Sequence, residues 1–190
     1  MTSTIRQALE TIHPISNEDW VIIEPLFYRN EYKKNSHILR VGETERYIYF
    51  IEKGVIRSYL ERGESEITVE FSFQETIFSS YSSFLTQTPS QVNVQSITEV
   101  AIWRVSYEDL QKVYALSTIG NLIGRVATEL LFIEKDNREL SLLSKTAEER
   151  YLDLFNEQPG LIQNIPLKYI ASYIGITPQA LSRIRKRIYL

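Results

Sequence analysis

The side chains best suited to chemistry stand near the end of the chain. Residues 165–188 read IPLKYIASYIGITPQALSRIRKRI and hold Lys168, Arg183, Arg185, Lys186 and Arg187, while no acidic side chain occurs after Glu157. On a helix starting at Pro178, about 100° per residue puts Leu181, Ile184 and Ile188 on one face. Gln179, Ser182, Arg183 and Lys186 fall opposite, with Arg185 and Arg187 on the flanks. That polar set suits the major groove of DNA: Arg gives guanine two hydrogen bonds, Gln pairs with adenine, and Ser serves either. Flanking cations neutralise phosphates, which supplies affinity without sequence choice. The predicted DNA contacts are Thr177, Gln179, Ser182, Arg183, Arg185, Lys186, Arg187 and Lys168. A solvated basic helix face is the plainer use of the same residues. Against it, turn spacing, cap, apolar core and uninterrupted positive charge all agree.

Little else in the chain invites catalysis. There is no cysteine, which excludes disulfides, thiolate metal sites, cysteine-ligated iron–sulfur clusters and cysteine nucleophiles. The two histidines, His13 and His37, fall short of the two or three His plus carboxylate with which jelly-roll enzymes hold a metal. No phosphate-binding glycine loop and no G-x-S-x-G elbow occurs. Glu18-Asp19 and Glu148-Glu149 are acids at helix starts, where capping and the helix dipole favour them. The expectation is a protein that is not an enzyme and uses no metal or cofactor.

The elements that must position the basic face can be read backwards from it. Pro166 suits the first turn of a helix ending at Gly175, and Thr177 can cap a second helix with Pro178 at its first position. The three-residue link Gly175-Ile176-Thr177 makes the pair a helix-turn-helix, with Ala171 small where the helices cross. Ile170, Ile174, Ile176, Leu181, Ile184 and Ile188 supply its core. Upstream, Thr146-Ala-Glu-Glu149 has capping-box form and opens a helix that Pro159-Gly160 ends. Before that, Ile119, Ile123, Val126, Leu130, Ile133, Asn137 and Leu140 recur at steps of four and three, a heptad seam broken only by Asn137. A helix over this span is about 33 Å long. It is either the contact between two copies or a long amphipathic helix packed on its own chain. Two-fold pairing would present two recognition helices to half-sites about 34 Å apart.

From Arg29 to Arg104 the texture is that of strands: HILRV, YIYFI, VIRSYL, EITVEFSF, QVNVQSI and EVAIWRV, broken at Gly42, Gly54, Gly63 and Thr88-Pro89-Ser90. Such spacing predicts an antiparallel sandwich or jelly roll. In the fourth run Ile67, Val69, Phe71 and Phe73 are expected inward, with Thr68, Glu70 and Ser72 outward. Two short helices are expected before it, over 3–12 and 17–27, the second capped by Ser16 or Asn17. The fold class is therefore α+β. The expected organisation is an antiparallel jelly-roll domain over 1–115, a dimerisation helix over 116–144 and a helix-turn-helix domain over 145–190 with little or no wing. Residues 158–190 carry +5 and the preceding residues −8, which points to a polyanionic partner at the basic end. No signal-type apolar region opens the chain and no apolar run approaches membrane length, so the expected location is the cytoplasm.

In this order, these parts resemble the CRP/FNR family of bacterial transcription regulators, and most closely its many Bacteroidetes members. The resemblance is carried by TAEERYLDLF, IPLKYIASYIGITPQALSRIRK and, less specifically, YFIEKGVIRSY, and it covers nearly the whole chain. It implies a cyclic-nucleotide-binding-like β-domain, a homodimer, double-stranded DNA as partner with RNA polymerase as a further candidate, and base-reading roles for Gln179, Ser182 and Arg183. Cyclic-nucleotide-binding members carry a Gly-Glu pair and, about ten residues on, an Arg-Ser pair for phosphate and ribose. Here Ser79-Ser80 and Pro89-Ser90 stand near those positions, and no cation occurs from Thr76 to Ala101. Burying an unneutralised phosphate is costly, so little or no cyclic-AMP binding is expected. Phe71, Phe73, Phe78, Tyr81 and Phe84 are either barrel core or an aromatic effector pocket, with Arg125 on the long helix placed to reach an anionic effector. The competing function is a sensor or protein-interaction module that works through its β-domain without specific DNA binding.

Overall fold

The structure, a computed structural model, describes residues 4–63, 65–157 and 165–188. It divides into two compact units, Met1–Arg57 with Phe71–Phe132, and Ser58–Glu70 with Ile133–Leu190. In chain order the elements are α1 (Thr4–Glu10), α2 (Asn17–Ile23), β1 (Phe27–Tyr32), β2 (His37–Leu39), β3 (Tyr47–Lys53), β4 (Ile56–Arg62), β5 (Ser65–Ser72) and β6 (Ile77–Phe78). There follow α3 (Tyr81–Thr86), β7 (Asn93–Ser96), β8 (Val100–Ser106), α4 (Tyr107–Leu116), α5 (Gly120–Ser144), α6 (Ala147–Glu157), α7 (Leu167–Tyr173) and α8 (Pro178–Ile188). The expected helix end near Gln158 and the Pro159-Gly160 stop lie outside the described residues.

The strands form two four-stranded sheets, β1-β8-β3-β6 and β2-β7-β4-β5, the jelly roll expected from the strand spacing. Pairing is antiparallel between β1 and β8, β3 and β8, β3 and β6, and β2 and β7. Strand β3 shows why its sequence is apolar almost throughout. Tyr49 and Ile51 enter the barrel core with Leu39, Ile56, Phe78, Val94, Val100 and Ile102, whereas Phe50 points the other way. There it joins Ile5, Leu9, Trp20, Ile23, Val113 and Ile123 of the helices and Ile15 of the loop before α2. Successive strand residues face opposite sides, so a strand covered on both sides must be apolar at both parities.

Caps fix the helix starts. Ser16 and Ser106 accept hydrogen bonds from the Asp19 and Asp109 amides at α2 and α4. At α6 the Thr146 amide donates to Glu149 at 2.7 Å and the Glu149 amide returns to Thr146 Oγ1 at 3.3 Å, a complete capping box. Asp19 does more than cap, because it also accepts from the amide and hydroxyl of Thr118 at 2.6 and 2.7 Å, tying α2 to the turn before α5.

Three local expectations are corrected. Strand β1 begins at Phe27, where the second helix was expected to end, and α3 occupies the serine-rich YSSFLT, which has no helical periodicity. The seam helix starts at Gly120, so Ile119 precedes its first turn. In β5 the expected parity fails: Thr68 and Ser72 are buried and Val69 is 36% exposed. The Thr68 amide donates to Ser172 Oγ of α7 at 2.8 Å, and that hydroxyl donates to the Glu66 carbonyl at 2.9 Å. The strand is thus covered on its polar side by a helix of the same unit.

Candidate functional site

The helix-turn-helix is built as its residue types dictate. Helix α7 ends in a full Schellman turn: the Gly175 amide donates to Ser172 O at 3.1 Å and the Ile176 amide to Ala171 O at 2.9 Å. This requires the left-handed φ of +78° that Gly175 adopts at little cost. Thr177 Oγ1 then accepts from the Ala180 amide at 3.2 Å and caps α8. Ile170, Ala171, Ile174 and Leu181 are fully buried, and Ile165, Tyr151, Leu154 and Ile184 complete the core.

With that side fixed, Thr177, Gln179, Ser182, Arg183 and Lys186 are all exposed. Three other nominated cations are placed differently. Arg185 is half-buried, and Arg187 is ion-paired with Glu148 of α6. Lys168 is exposed, with its ammonium 4.8 Å from the centre of the Tyr169 ring. Lys168 and Thr177 also line a cleft of about 630 Å³ with Ser65, Glu66 and Ile67 of β5.

Two arginines that sequence reasoning did not assign to this site hold the turn in place. Arg150 of α6 donates from Nε to Ile174 O at 2.9 Å and from Nη1 to Lys145 O at 2.5 Å, closing the carboxyl end of α7 and the residue after α5. A guanidinium is suited to this, since free carbonyls at a helix end carry partial negative charge. Arg138 lies 3.7 Å from the centre of the Tyr173 ring and donates to Tyr173 O. Burial pulls its pKa below the ordinary arginine value. Arg138 thus grips the turn, while Arg125, the residue weighed for an anionic effector, pairs with Glu129 one turn along its own helix. Arg150 sits inside the TAEERY motif, but a carbonyl contact across 24 residues leaves no local signal.

The seven seam residues fall into two groups. Ile119 and Ile123 pack into the core of their own unit, Ile123 being 7% exposed. Val126 is half-buried, whereas Leu130, Ile133 and Leu140 are 57%, 54% and 53% exposed and Asn137 is exposed. Phe132 and Leu143 add further exposed apolar surface on α5. Gly120 opens the helix where an added Cβ would lie 2.4 Å from the Val113 carbonyl, and Gly124 leaves space taken by the Tyr114 ring. Close packing therefore offsets their helix-propensity cost of about 1 kcal/mol each.

The aromatic set packs ring against ring, Tyr81 stacking on Phe84 with centres 6.4 Å apart. Phe78 stacks on Tyr49 with ring centres 4.7 Å apart, Phe84 meets Tyr107 edge-on at 5.4 Å, and Phe71 and Phe73 pack on each other at 6.4 Å. Of the six nominated residues, Tyr81 alone lines the apolar cavity of this unit. In the segment that would hold a cyclic phosphate, Ser80 Oγ and Ser90 Oγ hydrogen-bond to each other at 2.9 Å, and Ser90 also bonds Val92. Beside it, the Glu45 carboxylate is buried and accepts from the amides of Arg46 and Tyr47 and the Tyr49 hydroxyl. Burial raises its pKa above the usual carboxylate range. Sequence reasoning also passed over Arg57 of β4, which is fully buried and donates to Gln95 Oε1 at 3.2 Å.

The family model of the cyclic nucleotide-binding domain matches residues 29–117. The fold of the chain is that of FixK2 from Bradyrhizobium japonicum, at 19% identity over 86% of this chain and 84% of that one, with a TM-score of 0.74. CLP, a c-di-GMP-responsive global regulator of Xanthomonas campestris, matches at 14% identity over 92% of both chains, TM-score 0.71. A structure from Eubacterium rectale, described as a transcriptional regulator of the CRP/FNR family, matches at 14% identity over 92% of this chain and 84% of its own, TM-score 0.69. Among curated proteins none matches the chain by sequence. These likenesses, all below 20% identity, show that the chain shares the fold of these structures. Among the described residues no helix is long and apolar enough to cross a membrane, and no group of three or more His, Asp or Glu is placed to hold a metal ion.

Proposed function

We propose that this chain is a sequence-specific DNA-binding transcription regulator of the CRP/FNR type that acts as a homodimer. The observation that carries the reading is the exposed face of α8. Gln179, Ser182, Arg183 and Lys186 project from a helix whose other side is locked into a capped, Schellman-turned core. Held that way, α8 lies in the major groove, Gln179, Ser182 and Arg183 read base edges, and Lys186 with Lys168 neutralises phosphate. Thr177, half-buried Arg185 and paired Arg187 stand beside the backbone. Residues 1–115 act as the effector-binding-like domain, 116–144 as the dimerisation helix and 145–190 as the DNA-binding domain. Exposed Leu130, Ile133, Asn137 and Leu140 form the pairing surface between two copies.

Cyclic AMP is not the effector in this reading. The positions that would hold its phosphate carry serines bonded to one another and to their own backbone. Isothermal titration with cyclic AMP is expected to show no binding.

Selection of bound duplexes from a random pool tests the whole proposal. The expected product is a palindrome with half-sites one helical turn apart. Arg183→Ala should relax choice at one base pair and weaken binding by about 1–3 kcal/mol. Failure to enrich any sequence would sink the DNA-reading assignment and favour a sensor that works through its β-domain.

A further inference from the structure

Within the first unit, a cavity of about 80 Å³ lies among α1, β3, β8, α4 and the first three turns of α5. No Lys, Arg, Asp or Glu lines it, and its wall is aliphatic and aromatic, with Ile23, Phe27, Phe50 and Leu131 among its residues. The Thr128 and Tyr81 hydroxyls at its edge are already engaged, and the Tyr49 hydroxyl donates to Glu45. Thr128 Oγ1 donates to the Gly124 carbonyl at 2.8 Å and shares a hydrogen bond of 3.0 Å with the Tyr81 hydroxyl. A buried water needs two to four polar partners, which this wall offers poorly, and apolar cavities that hold no water take up neutral apolar molecules. The volume sets the size. A dry cavity of about 150 Å³ accepts benzene, so this one suits an occupant no larger than a benzene ring.

We propose that this cavity is a binding site for a small, uncharged, apolar molecule. It is distinct from the serine segment that would face a cyclic nucleotide, and of the aromatic residues nominated from sequence only Tyr81 lines it. Its chemistry excludes nucleotides and every other anion, because a charge placed here would lose its hydration with no counter-ion to replace it. Helix α5 supplies much of the wall through Gly120, Ile123, Gly124, Ala127, Thr128 and Leu131. Ile123 belongs both to this wall and to the heptad register, so an occupant presses on the helix that carries the exposed leucines.

Xenon and benzene are the probes, with benzoate as charged control, titrated into the full-length, methyl-labelled chain and followed by NMR. Saturable shifts confined to the methyls of Ile23, Ile123 and Leu131 are expected with xenon and benzene and not with benzoate. Ala127→Leu, which fills the space, should weaken benzene binding about tenfold or more, as one added group in a tight apolar pocket does. Leu131→Ala, which enlarges it, should strengthen it. Absence of saturable shifts at those methyls in the parent chain, or equal response to benzoate, overturns the proposal whether or not either variant folds. None of these readouts involves DNA, so failure here leaves the regulator reading intact, and failure of DNA binding leaves this site intact.

Discussion

The two halves of α5 carry one heptad pattern and put it to two uses. From Gly120 to Phe132 the helix belongs to the first unit and sinks Ile123 into a core with Ile5, Leu9, Trp20 and Phe50, although Leu130 and Phe132 at its end are already 57% and 71% exposed. From Ile133 to Ser144 it belongs to the second unit and leaves Ile133, Leu140 and Leu143 between 53% and 78% exposed. Heptad spacing states which residues share a face but not what covers that face. A seam read from sequence alone therefore merges positions covered by their own chain with positions that this chain leaves exposed.

Charge insertion separates the two halves most sharply. Ile123→Glu places a carboxylate in an apolar core with no counter-charge, and should cost about 3–5 kcal/mol or prevent folding altogether. Denaturant unfolding of the isolated protein measures this, and a loss under 1 kcal/mol would mean that the inner half is not core. Ile133→Glu should leave the fold of each chain nearly unchanged, since exposed substitutions stay within about 0.5 kcal/mol. It should weaken pairing by roughly a hundredfold, close to 3 kcal/mol, if the outer half meets its copy. Sedimentation of wild type and variant decides that point, and a wild-type chain that sediments as a monomer removes the pairing model.

The same contrast explains what was legible in the sequence. The helix-turn-helix could be read residue by residue because its determinants are local: Gly175 at the left-handed position, Thr177 at the cap, Ala171 at the crossing and a 3.6-residue apolar stripe. The order of strands could be read for the same reason, since turn residues punctuate it. What escaped depends on partners far along the chain. The parity of β5 is set by Ser172, more than a hundred residues away, and the turn is held by Arg138 and Arg150 through carbonyls that no side-chain pattern advertises. The cavity escaped too, because an unfilled volume is a property of how Ile23, Phe27 and Leu131 fail to meet, which composition does not record.

Arg150 gives the next largest effect. Arg150→Met keeps the length of the stem and removes the donors that close Ile174 O and Lys145 O. The lost charged hydrogen bonds should cost about 2 kcal/mol. Because these contacts lie wholly in the second unit, hydrogen exchange should accelerate in α7 and α8 and not in β3 or β8. Uniform acceleration across both would mean that Arg150 supports the whole chain and not the turn.

Asp19 provides the smallest effect and the test for the inner half in solution. The Thr118 hydroxyl and amide, outweighing its burial, hold the Asp19 carboxyl below the usual carboxylate range, with Ser16 adding to them. A folded-state pKa below the unfolded one makes the ionised group stabilising above the unfolded pKa, and that contribution fades as pH falls through the folded value. Glu45 works in the opposite direction: burial raises its pKa, so its carboxylate opposes folding at neutral pH and the penalty lifts as it takes up a proton. The raw acid profile mixes the two, so the informative quantity is the difference between wild type and Asp19→Asn. That difference should be about 1 kcal/mol at neutral pH, the size of one weakened hydrogen-bond set, and shrink toward zero in acid below the ordinary aspartate range. A difference that stays constant with pH would show that Asp19 ties α2 to the turn before α5 by shape and not by charge.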